Sequence, residues 1–172
     1  MPSRLLISKA AIACIALGGL PMFAQVDIKA VVVKHLKTSR DFTLKVAEQM
    51  PEADYGFKLT PPQMSFAEQI AHLAEEHAQF LAVFSNERPK AAKPASMNKK
   101  DVLAYVRQSF DSSIDQVSKL TPEQISKTYN SGEGSMTGLE LLMFMMDHTT
   151  HHRASAEMYL RAKGITPAEY QF

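Results

Sequence analysis

The chain has 172 residues, 45% of them hydrophobic and 22% charged, and a formal net charge of +1. That length sets a prior of one domain with a full core. So small a charge, with no basic run, excludes the electrostatic footprint of a nucleic-acid or anionic-membrane binder.

The first residues read as a targeting segment. Arg4 and Lys9 lead into an apolar run from Ala10 to Leu20, broken only by Gly18 and Gly19, and Pro21 ends it. This is the pattern of a secretory signal peptide over residues 1–24, cut between Ala24 and Gln25. The run is shorter than the roughly 20 apolar residues of a membrane span. Met22, at the −3 position, departs from the small residue preferred there. Cleavage removes two basic residues and no acidic ones, leaving 17 basic against 18 acidic, a net charge of −1. It also removes Cys14, the chain's only cysteine. A mature domain over residues 25–172 then has no disulfide, no thiolate nucleophile and no thiolate ligand. The expected localisation is periplasmic or extracellular.

Four long helical patterns follow, with little that reads as strand. The first runs from about Asp27 to Met50, with Val31, Leu36, Phe42 and Val46 at apolar positions and Pro51 as its stop. The second opens at Ser65-Phe66-Ala67-Glu68, a capping box, and reaches about Phe84. Its inner stripe is Phe66, Ile70, Leu73, His77, Leu81 and Phe84. The third runs from near Asn98 to about Leu120, and Thr121-Pro122 restarts a short helix. Asn130 to Ser135 reads as a polar, glycine-bearing loop. The fourth long helix opens with the capping box Thr137–Glu140 and ends at Gly164. The fold class expected is all-α, a four-helix bundle. Two long connections, Pro51 to Met64 and Glu87 to Met97, permit crossovers in place of simple up-and-down order.

His148 and His152 stand four residues apart, so both imidazoles lie on one face of the fourth helix, about a turn apart. Two neutral imidazoles so placed can chelate one divalent ion. Leu141, Met145 and Tyr159 share that face, which turns the pair toward the bundle interior. A third ligand must come from another helix, and the second helix offers His72 and His77. Periodicity favours His77; His72 sits on the flank with Glu68, Glu75 and Glu76. Three protein ligands leave a fourth position for water or substrate, the pattern of a catalytic site. His151 reads as a supporting or surface residue, and His35 as a solvated one. Met143, Met145 and Met146 raise copper handling, but core filling is the simpler role for methionines at helical spacing. No Glu-x-x-His pair or Cys-x-x-Cys-His is present, which disfavours di-iron and attached haem.

Two segments carry a resemblance: Ser65-Phe66-Ala67-Glu68-Gln69-Ile70-Ala71-His72-Leu73-Ala74-Glu75 and Asp147-His148-Thr149-Thr150-His151-His152-Arg153. With the tail Tyr159 to Pro167, they resemble the DinB-like (YfiT-related) superfamily, regarded as metal-dependent enzymes, across essentially the whole mature chain. The resemblance implies a four-helix bundle with an unusual order of helix directions. It implies a divalent metal, zinc or nickel, held by His72, His148 and His152, against the periodicity that favours His77. Relatives use such a metal to activate a thiol, and a hydrolase with activated water is an equal expectation for an exported chain. A Gly-Gln pair common after the His-Arg of the family is Ala154-Ser155 here. The expected function is thus a metal-dependent hydrolase or thiol S-transferase acting on a small molecule. The alternative is a non-catalytic metal-binding protein of the cell envelope. No nucleic-acid partner and no membrane span after processing are expected; a homodimer is allowed.

Overall fold

The computed structural model describes residues 27–85, 93–131 and 134–171. The signal-peptide reading of residues 1–24 and the tract 86–92 lie outside the described residues. Helix α1 spans Ile28–Gln49, α2 Phe66–Ser85, α3 Lys99–Lys119, α4 Pro122–Ser126 and α5 Gly138–Ala162, with one 3-10 turn at Glu52–Asp54. Their ends are set locally. Asp27 caps α1 by accepting from the Ala30 amide, and Met50 turns extended ahead of Pro51. Ser65 and Glu68 satisfy each other's backbone amides at the start of α2. Thr121 with Gln124 and Thr137 with Glu140 form capping boxes on α4 and α5. Gly164 takes φ +74, Ile165 N–H donates to the Leu160 carbonyl and Gly164 N–H to that of Arg161, which closes α5 in a Schellman motif.

The four long helices form a ring in which α1 and α2 each pack on both α3 and α5. Side-chain bonds between the helices give their directions. Lys99 Nζ donates to the Glu48 and Met50 carbonyls while Lys29 Nζ donates to Leu120, so α1 and α3 are antiparallel. Arg153 reaches Ser39, and Gln49 holds Thr166 and Ala168, so α1 and α5 run parallel. Ser109 donates to Ala74 and Ser113 bonds His77, so α2 and α3 run parallel. Gln69 meets His152, His77 meets Thr149 and Phe80 meets Phe144, so α2 and α5 are antiparallel. Helices α2 and α3, consecutive in the chain, therefore point the same way. Each is about 30 Å long at 1.5 Å per residue, a distance that no tight turn returns. The long connection between them is a topological requirement.

The core is built from Leu36, Phe42, Val46, Phe66, Ile70, Leu73, Val106, Phe110, Met145 and Tyr159, all nearly or fully buried. Tyr55 and Tyr159 bury their rings and donate their hydroxyl protons to the Ala47 and Met64 carbonyls, satisfying a polar tip inside an apolar setting. Arg153 is 2% exposed; its guanidinium donates to Ser39 Oγ at 2.8 Å and lies 4.6 Å from the Phe42 ring centroid. Burial lowers its pKa from the ordinary arginine value. Among the described residues, no helix is long and apolar enough to cross a membrane.

One expectation fails. The stretch read as loop is a β-hairpin, β1 Thr128–Ser131 paired antiparallel with β2 Gly134–Thr137. Its cross-strand pair Tyr129–Met136 and the packing of the Tyr129 ring on Phe84, centroids 5.2 Å apart, anchor a segment too polar to show an alternating pattern.

At the start of α5, Gly138 abuts α4. An added Cβ would sit 2.9 Å from Ile125 Cα, and closer still to the Gln124 carbonyl oxygen. Backbone on both sides cannot yield cheaply. Gly138→Ala is expected to cost about 1–3 kcal/mol by overpacking, despite the better helix propensity of alanine. Urea denaturation reads it; an unchanged midpoint contradicts the packing account.

Candidate metal centre

On α5 the buried stripe is Leu141, Met145, Thr149, Arg153, Ala156 and Leu160. His148 and His152 flank it, half-buried at the edge of the groove between α2 and α5. On α2 the stripe includes Leu73 and His77, and His72 flanks it next to Leu73, 27% exposed. Antiparallel packing brings the two flanks together. One nitrogen from each of His72, His148 and His152 lies within 4.8 Å of the others. Ring centroids are 5.1 Å apart for His72–His148, 4.6 Å for His72–His152 and 4.5 Å for His148–His152. Three half-buried imidazoles from two helices so arranged could hold a metal ion.

The surroundings bear on that fit. His148 Nδ1 is buried with no hydrogen-bond partner among the described residues. Buried polar groups in native folds are otherwise nearly always satisfied. His152 Nδ1 lies 2.6 Å from Gln69 Oε1, and His72 Nδ1 lies 3.8 Å from Glu76 Oε1. Phe80 contributes an aromatic edge at 5.8 Å from the His148 ring centroid. Burial first, and then the neighbouring histidines, push the pKa of both His148 and His152 down to about 4. Both are therefore neutral at physiological pH, the form that donates a lone pair to a metal. A cluster of three imidazoles, one with an orphaned nitrogen, is a donor set that suits a borderline divalent cation.

His77, favoured by periodicity, is absent from the cluster. It is fully buried, with Nε2 2.8 Å from Thr149 Oγ1 and Nδ1 3.1 Å from Ser113 Oγ. Thr149 and Ser113 also donate to the Met145 and Ser109 carbonyls one turn back, so each hydroxyl is shared between a backbone oxygen and a ring nitrogen of His77. Both nitrogens are engaged in tying α2 to α3 and α5, and burial drives the His77 pKa down to about 3. The imidazole on the stripe is thus structural, and the one beside it faces the groove.

The other candidates separate cleanly. His151 is exposed, its ring 5.0 Å from that of His152. His35 is half-buried rather than solvated, with its pKa lowered by burial and by Arg153. Met145 is in the core, Met146 packs partly buried against it and Met143 is 52% exposed. Sequence reasoning did not single out Gln69, Ser113 or Thr149, because each acts only through a contact with a different helix.

A pH dependence follows. The folded pKa values of His77, His148 and His152 fall below the ordinary value of 6.5, so the unfolded chain binds more protons between them. Stability is then highest above about pH 6.5, declines as pH drops toward 4, and levels off for these groups below their folded values. Urea midpoints of metal-free protein across that range test it; stability that rises on acidification contradicts it.

A family model described as the DinB family matches residues 22–172. The chain is 26% identical over 140 residues to the uncharacterized protein YjoA of Bacillus subtilis (strain 168), covering 78% of this chain and 90% of that one. The crystal structure of that DinB-like protein superposes with a TM-score of 0.70 at 22% identity, over 81% of this chain and 96% of the other. A DinB-like protein from Bacillus cereus gives a TM-score of 0.71 at 14% identity, over 81% and 95%. YfiT from Bacillus subtilis, described as a probable metal-dependent hydrolase with an unusual four-helix bundle topology, gives 0.64 at 18% identity, over 80% and 89%. With nearly all of its length matched, this chain belongs to the DinB family.

Proposed function

We propose that this protein is a metal-dependent hydrolase of small molecules, holding one divalent ion, zinc or nickel, through His72, His148 and His152. The observation that carries the reading is the convergence of three imidazoles from α2 and α5 with donor atoms within 4.8 Å of one another. The description of YfiT as a probable metal-dependent hydrolase supports it by likeness of fold.

Three protein ligands and half-exposure together match the open type of site rather than the closed structural type. An ion held there supplies Lewis-acid activation of a coordinated water or of a substrate oxygen. The chain's own residues do the rest. The α2–α5 groove orients the imidazoles, and the Phe80 and Phe144 rings, 5.2 Å apart, give an apolar wall beside His148. Glu76, half-buried beside His72, is placed to accept a proton at the groove edge. Hydrolysis is preferred to thiol transfer because an exported protein meets few low-molecular-weight thiols. Export is itself part of the proposal, resting on Arg4, Lys9 and the apolar run to Leu20.

Protein purified without a histidine tag is expected to carry about one ion per chain by elemental analysis. His72→Ala, and the double change His148→Ala with His152→Ala, should bring that to near zero. Ser113→Ala, which touches His77 alone among the histidines, should keep the metal while costing about 1–3 kcal/mol, the penalty of an unpaired buried nitrogen. Ester and amide hydrolysis without added thiol should vanish with the metal; conversion only in the presence of a thiol would favour S-transfer. A metal-free wild type that reloads with neither zinc nor nickel contradicts the proposal.

Export has its own readout. N-terminal sequencing of protein recovered from the cell envelope should begin at Gln25. A first residue of Met1, or recovery only from the cytoplasm, contradicts it.

A further inference from the structure

We propose that Gln69 is the positioning residue of this centre: its side-chain carbonyl fixes His152 in the Nδ1–H tautomer and so presents Nε2 as the donor atom. The inference rests on the metal-site reading above and deepens it.

A carbonyl oxygen can only accept, so the 2.6 Å contact between Gln69 Oε1 and His152 Nδ1 places the imidazole proton on Nδ1. A neutral imidazole has one such proton, which leaves Nε2 with its lone pair free. Gln69 is itself nearly buried. It is 8% exposed, sits on α2 among the buried residues Phe66, Ile70 and Leu73, and lies one turn before His72. The ridge of α2 that supplies one imidazole thereby also sets the tautomer of another, which belongs to α5. Among the described residues the other two have no equivalent. Glu76 Oε1 stands 3.8 Å from His72 Nδ1, beyond direct hydrogen-bond reach, and His148 Nδ1 has no partner among the described residues. His152 is thus the member of the three whose tautomer the fold determines. Partners of this kind raise ligand basicity and fix ring orientation, and their loss typically weakens metal binding by about 10–100-fold.

The test uses the full protein, zinc as the probe ion and two variants. Gln69→Leu removes the acceptor at similar volume; Gln69→Glu keeps one and strengthens it. Competition against a chromogenic chelator should show zinc affinity about 10–100-fold weaker for Gln69→Leu and undiminished for Gln69→Glu. Imidazole nitrogen NMR of zinc-free wild type should show His152 as Nδ1–H, with Gln69→Leu shifting population to Nε2–H while the other histidines keep their spectra. A merely structural glutamine would not move that signature. Equal zinc affinity for wild type and Gln69→Leu overturns the proposal. So does an Nε2–H tautomer at His152 in the wild type, a measurement that requires no variant to fold. A wild type that binds no zinc, yet shows Nδ1–H at His152, sinks the underlying metal reading instead and leaves the hydrogen bond standing.

Discussion

The antiparallel contact of α2 with α5 is the constraint on which everything else depends. Each helix presents a buried stripe and, one step round, a half-buried flank. The stripes lock together, His77 of α2 bonding Thr149 of α5, and the flanks then bring His72 against His148 and His152. A rotation of either helix by one residue position, about 100°, would send an imidazole into solvent or into the core. Close-packed interiors resist such rotation. Two devices add to that resistance on α5. Gly138 lets its first turn touch the α4 backbone. Arg153, directly after His152, buries its guanidinium on Phe42 and Ser39 of α1. A desolvated charge held by a hydroxyl and an aromatic face is costly to displace. It therefore helps define one angular setting of the helix that carries two of the three histidines.

Helix α2 uses two histidines in opposite ways. His77 is enclosed by Ser113 and Thr149 and keeps no lone pair for anything else. His72, five residues earlier, has its ring against two other imidazoles and only a distant carboxylate at Nδ1. Burial makes the first a structural pin. Half-burial at a groove edge leaves the second among residues that could hold a metal. The difference is one of satisfaction: an imidazole already hydrogen-bonded at both nitrogens offers no lone pair, whatever its helical phase.

Much of this was legible in the chain because it is local. The capping boxes at Ser65 and Thr137, the helix restart at Thr121-Pro122, the stop at Pro51 and the left-handed Gly164 each depend on neighbours within a few residues. The His148–His152 pair is fixed by helical spacing alone. The choice between His72 and His77 was not legible from periodicity, since it depends on how far α2 rotates against a helix some 75 residues away in the chain. The motif around His72, by its resemblance to a family, pointed to the residue that the structure brings into the cluster. The β-hairpin was hidden because its strands are short and polar, and its anchor is the Tyr129–Phe84 contact with α2. Helix directions were legible only as a hint, in the length of the connection between α2 and α3. Gln69 reads in sequence as one more polar residue; its role exists only where α5 crosses it.

The central claim is that three imidazole nitrogens share one ion. X-ray absorption at the zinc edge of loaded protein in solution tests it most directly. The account predicts three imidazole scatterers at about 2.0–2.1 Å with one further light atom. Two imidazoles or fewer, or a shell dominated by carboxylate oxygens, would contradict it.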